Sequence, residues 1–134
     1  MSLQTIITNT RTMLGTVSGL VRIYADPPES INEFPSAIVW ASRGELHSAS
    51  DGFARNFHTI MIQVYHNRQV LPEAIDAAKV WPGLVHTAIT ADPTLGGAVM
   101  HVTYPIRYSC QPLRYGDREH YGVSFEMTVK ESGA

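Results

Sequence analysis

The residues with chemistry in them are six histidines, one cysteine and one glycine-rich stretch. His47, His58, His66, His86, His101 and His120 are scattered, with no H-x-x-x-H on a helical pattern and none beside the cysteine. Zinc sites need closer spacing than that. His58 and His66 share a strand parity, but about 26 Å of strand separates them, too far for one ion. His101 and His120 fall on strands that can be neighbours and make the best metal pair. The plainer reading of both is polar groups on a wet sheet face. Cys110 with a histidine as base would make a nucleophile. Its parity with the apolar series from Met100 to Tyr108 places it in the core instead, where thiols are inert. No G-x-S-x-G, Walker loop or dinucleotide fingerprint occurs. Asp51, Asp76, Asp92 and Asp117 fall in loops or on helix surfaces, without the paired-carboxylate spacing of a glycosidase. No catalytic residue, metal ligand or cofactor is therefore expected, and the chain does not read as an enzyme.

The glycine-rich stretch is "TADPTLGGAV", Thr90 to Val99. A phosphate-cradling loop leads from a strand into a helix, whose first N–H groups meet the anion. Here the helical pattern comes first and the strand pattern follows, and no lysine succeeds the glycines. The stretch reads as a helix stop at Asp92-Pro93, with Leu95 tucked under the layer and Gly96-Gly97 relaxing the backbone into a strand.

Nucleic-acid binding is weighed on Arg107, Arg114, Arg118 and Lys130, interleaved with Tyr108, Tyr115 and Tyr121. Such a pattern on a sheet can stack bases. However, Tyr108 and Tyr121 belong to apolar, core-facing series, and Glu119 and Glu126 dilute the charge. The net charge of −2 gives no pull toward nucleic acid or an anionic membrane, so specific binding of either is not expected.

The elements that must position these residues are legible from periodicity. The 134 residues suit a single domain, 1–134. Leu3, Ile6, Ile7, Thr10, Leu14 and Val17 predict an amphipathic helix over 3–17. Residues 20–24 suggest a short extended piece, and Pro27, Pro28 and Pro35 forbid regular structure after it. "SAIVWAS" (36–42) and "FHTIMIQVYH" (57–66) read as strands apolar on both faces, the second of them central. Between them, 43–56 reads as a long, mobile hairpin arm. Residues 71–90 carry a helical stripe with a kink or break at Pro82-Gly83. "VMHVTYPIRYSC" and "HYGVSFEMTVK" alternate cleanly, as strands do with one face on a core, and Gln111 to Glu119 joins them as a turn. The order α-β-β-α-β-β predicts an α+β fold: a mainly antiparallel four-stranded sheet with two helices packed on one face. Charged residues are 16% of the chain, below the usual ~25%, which hints at surface that meets protein instead of water. The N-terminus lacks a charged region followed by a long apolar run, and no run approaches a ~20-residue membrane span. A soluble protein made in a reducing cytoplasm is expected.

The segments "PSAIVW", "FHTIMIQVYHNRQVLPEAIDAA", "DPTLGGAV" and "PLRYGDREHYGVSFEMTVKE", with the lead-in "YADPPESINEFPSAIV", resemble in content and order the tail terminator proteins of long-tailed bacteriophages, prophages and gene transfer agents. The resemblance runs over roughly Pro35 to Glu131, and no motif in it is catalytic. It implies a structural virion protein at the tail neck, assembled in the bacterial host cytoplasm. Such proteins form a homo-oligomeric ring, commonly a hexamer, that caps the tail tube protein and meets a head-completion or stopper protein. A head-completion or other neck protein is the alternative of similar size and pattern. A ring closes through heterologous contacts. The wet sheet face, the 43–56 arm and the 111–119 turn are the expected contact surfaces, with Arg43, Glu45, Asp51, Arg55, Arg114, Asp117 and Arg118 as the charged groups able to pair across subunits. Each is otherwise a solvated loop charge, worth little alone.

Overall fold

Strands with apolar side chains at every second position need a cover on that face, and helices supply it here. A computed structural model describes residues 3–47, 56–67 and 71–131. In chain order the elements are α1 (Leu3–Leu14), β1 (Arg22–Ala25), β2 (Ser36–Glu45), β3 (Phe57–His66), α2 (Leu71–Ala78), α3 (Trp81–Ala91), β4 (His101–Tyr115) and β5 (Arg118–Lys130). The α+β class holds, but the sheet is mixed and five-stranded, in the order β1-β2-β3-β5-β4. The extra strand is the short extended piece near residue 22, which pairs parallel with β2. All other pairings are antiparallel.

The helix side of the sheet is made by Ala37 and Val39, by Ile60, Ile62 and Val64, and by Val123, Phe125, Met127 and Val129. Ile6, Ile7, Met13 and Leu14 of α1 and Trp81, Val85 and Ile89 of α3 close over them. β3, bonded on both sides, is the central strand that its two apolar faces predict. The helix over 71–90 is indeed in two pieces, but the break falls at Lys79-Val80, not at Pro82-Gly83. Pro82 sits in the first turn of α3, where its missing N–H costs nothing.

Between α3 and β4 the chain turns as expected at Asp92-Pro93. The Asp92 carboxylate accepts the Gly96 N–H at 2.9 Å, and Leu95 is fully buried. Asn9 of α1 donates to the Leu95 carbonyl at 2.8 Å, which fastens this turn to the helix layer. The strand starts at His101.

The other face of the sheet is only half wet. Residues 26–35 fold over one end of it as a flap: Ile31 and Phe34 cover Ile38, Tyr65 and Leu113. The Tyr115 hydroxyl donates to the Pro28 carbonyl and fastens the flap. At the opposite end the face is polar, with Arg43, Thr59, Arg107, Glu126, Thr128 and Lys130.

At Gly122, β5 passes so close to β3 that a Cβ there would overlap the Val64 carbonyl oxygen. Gly83 on α3 has nothing within reach of a Cβ. In urea unfolding, Gly122→Ala is expected to lower stability by about 2–3 kcal/mol through overpacking. Gly83→Ala is expected to raise it by about 0.5 kcal/mol through helix propensity.

Candidate assembly interface

β4 is bonded to no strand but β5, and beyond Val102, whose N–H donates to the Pro93 carbonyl at 2.9 Å, its outer N–H and C=O groups have no strand partner among the described residues. A long open edge is an adhesive surface unless it is blunted. Pro105 and Pro112 lie on this strand, which suits an edge because proline lacks the donor a ladder needs. β4 contains two arginines, Arg107 and Arg114, and no acidic residue.

The apolar series of β4 turns out to be largely uncovered. Thr103 faces Thr128 and Arg107 faces Glu126, so four steps on β4 oppose two on β5 and the alternation survives. Tyr108 therefore does point to the helix side, opposite Phe125. Yet it is 57% exposed, and Tyr104 is 48% exposed. Cys110 is exposed too, not in the core as its parity suggested. The reason is position: parity chooses a face, and the helices cover that face fully only above the inner strands. Between α3 and β4 lies an apolar cleft of about 240 Å³, lined by Pro82, Val85, His86, Ile89, Ile106 and Tyr108.

The opposite margin is β1, four residues long. A groove of about 370 Å³ runs between it and α1, lined by Thr8, Arg11, Thr12, Val21 and Ile23 among others. Val21 is 55% exposed there.

The charged contact candidates divide between the two ends of the sheet. Arg43 and Glu45 lie in β2, not in a loop. Ser42 is an extra residue in the β2–β3 ladder, since Ala41 faces Ile60 and Arg43 faces Thr59. That bulge turns Arg43 to the polar face, where it forms an ion pair with Glu126. Glu45 stands 3.7 Å from the His47 ring. Asp51, Arg55 and most of the expected arm lie outside the described residues. Arg114, Asp117 and Arg118 gather at the other end, about 40 Å away along β5. The expected 111–119 turn is much tighter: only Gly116 and Asp117 leave the ladder, and Gly116 takes a left-handed φ of 62°. At the arm's root, His58 and Asn56 each stand 3.1 Å from one Glu131 carboxylate oxygen. Burial alone would raise the Glu131 pKa, but these hydrogen bonds outweigh it and hold it low. Periodicity carries no signal for such a clamp, because its members are 73 residues apart.

The metal pair does not form. His101 faces Lys130 and His120 faces Leu113, which puts the two about 34 Å apart along the ribbon. Among the described residues, no group of three His, Cys, Asp or Glu is placed to hold a metal ion. His120 is buried beneath the flap, with the Phe34 ring at 5.1 Å and the Tyr65 ring at 5.8 Å. Tyr121 is half-buried on the helix side. No helix of the described residues is long and apolar enough to cross a membrane. No protein-family model matches the chain, and no curated protein matches it.

One buried histidine latches the helix layer. Trp81 of α3 donates its indole N–H to Nε2 of His66 at 2.6 Å, so that nitrogen must be unprotonated. Burial lowers the His66 pKa, and burial followed by Arg118 lowers that of His120. A histidine depressed in the folded state contributes stability above its unfolded pKa, about 6.5. That contribution fades as pH falls below this value. Urea midpoints are therefore expected to drop between about pH 7 and pH 5, and to drop less in His66→Gln.

Proposed function

We propose that this chain is a ring-forming tail terminator of a long-tailed bacteriophage, prophage or gene transfer agent. It caps the tail tube and presents a surface to a head-completion or stopper protein. The observation that carries this reading is the β4 margin: a strand paired on one side only, beside exposed Tyr104 and Tyr108 and an apolar cleft. An unpaired strand edge is a template for a neighbouring strand, and exposed aromatic rings beside it gain by being covered. The ordered resemblance of 35–131 to tail terminators supplies the kind of assembly.

The placement of two strand connections supports the same role. The β2–β3 connection leaves one end of the sheet and the β4–β5 tip leaves the other. A subunit joined to its neighbours through its sides has these two ends free for different partners, a tube below and a stopper above. In this reading the chain performs no chemistry, binds no cofactor and no specific nucleic acid, and resides in the virion neck after assembly in the bacterial cytoplasm.

The test is tube growth. Added to polymerising tail-tube subunits from the same genome, the protein is expected to shorten the tubes and to appear as a disc at one end in negative-stain images. Tubes of unchanged length with bare ends would contradict the reading; protein that instead docks on completed heads would favour a head-completion protein.

A further inference from the structure

We propose that copies of this chain join head-to-tail through the two open margins of the sheet. β4 of one subunit adds antiparallel to β1 of the next, with Arg107 facing Asp26 and Tyr108 entering the groove between α1 and β1. The inference deepens the ring reading and rests on it.

Register carries the argument. Ala25 pairs with Val39, Val39 with Ile62, Ile62 with Phe125, and Phe125 with Tyr108. The next row holds Trp40, Met61, Glu126 and Arg107. Asp26 directly follows Ala25, so Asp26 and Arg107 stand at opposite ends of one row, about 19 Å apart across the strands. Chain direction agrees. β1 is parallel to β2, and three antiparallel steps then bring the sheet to β4. β1 and β4 thus run in opposite senses, and a neighbour rotated about an axis along the strands presents its β1 antiparallel to β4.

Charge and shape are complementary across the same joint. β4 has Arg107 and Arg114 and no acid, whereas 22–33 has Asp26, Glu29 and Glu33 against Arg22. Arg22 is already paired with Glu33 at 3.4 Å. No ion pair among the described residues engages Arg107, Arg114 or Asp26. Tyr108 stands on the helix side of β4, and Ile23 on the helix side of β1. The exposed ring of one subunit therefore meets the groove of the next, diagonally across from Ile23. Because the two margins differ, the contact is heterologous, and it makes a ring when the rotation from subunit to subunit closes.

The test uses two charge reversals in the full chain, Arg107→Asp and Asp26→Lys, followed by size-exclusion chromatography with light scattering. Each variant alone is expected to need at least about tenfold more protein than wild type to assemble, because like charges then meet at every joint. An equimolar mixture is expected to assemble as wild type does: the acidic β4 of one variant meets the basic β1 margin of the other, and the converse joint keeps Arg107 against Asp26. Asp26 holds a left-handed φ of 77°, which lysine adopts less readily. If Asp26→Lys melts early, Asp26→Asn and Tyr108→Asp replace it, each expected to weaken assembly on its own. Wild-type assembly that these variants leave unchanged would overturn the margin contact and leave the ring reading standing. Variants that weaken assembly without rescue in the mixture would also overturn the pairing. A wild-type chain that stays monomeric would overturn both.

Discussion

Helices laid on one face of a sheet impose a width, and the rest of this molecule follows from it. α1 and α3 bury the inward rows of β2, β3 and β5, where Val39, Ile62, Val64 and Met127 have no exposed surface. The Asn9–Leu95 and Trp81–His66 hydrogen bonds fix the helices to that position. Cover thins beyond β5. β4 is long and apolar on the correct face, yet its Tyr104 and Tyr108 meet solvent. Burial in the centre and exposure at the margin are one packing solution, and no residue of β4 could repair it without another layer.

The reverse face shows a local remedy of the same kind. There the proline-rich 26–35 segment acts as a private cover, setting Phe34 over His120 and Ile31 near Tyr65 and Leu113. It reaches only one end of the sheet. The other end is polar, with Arg43 and Glu126 paired and the Thr59 and Thr128 hydroxyls 3.5 Å apart, and it needs no cover. The β4 margin on the helix side carries apolar surface with no such device. Low charge density across the chain fits a subunit whose sides are covered by its own copies, though each charge alone is worth little.

Much of this was legible in the residues. β3 falls where its pattern places it, at Phe57–His66, because a strand apolar on both faces has few alternatives. The "ADPTLGG" stretch stops a helix and buries Leu95, as proline and glycine chemistry dictates. The misses share a cause: periodicity reports a face and says nothing about depth or neighbours. Tyr108 and Cys110 have core parity on an edge strand. β1 is four residues long, too short for any period, and its parallel pairing depends on the flap that connects it to β2. His101 and His120 do sit on adjacent strands, but the two-residue loop at Gly116-Asp117 sets a register that sends them to distant rows. The Ser42 bulge, which turns Arg43 across the sheet, leaves no mark in composition.

In the ring proposed above, another copy of this chain covers the β4 margin. The most direct test of that cover is the mass of the full chain in solution, followed by light scattering over a wide concentration range. The account predicts one closed particle at a small-integer multiple, such as six, of the 14.8 kDa chain mass, with no growth into open filaments. A mass of 14.8 kDa at every concentration would contradict it.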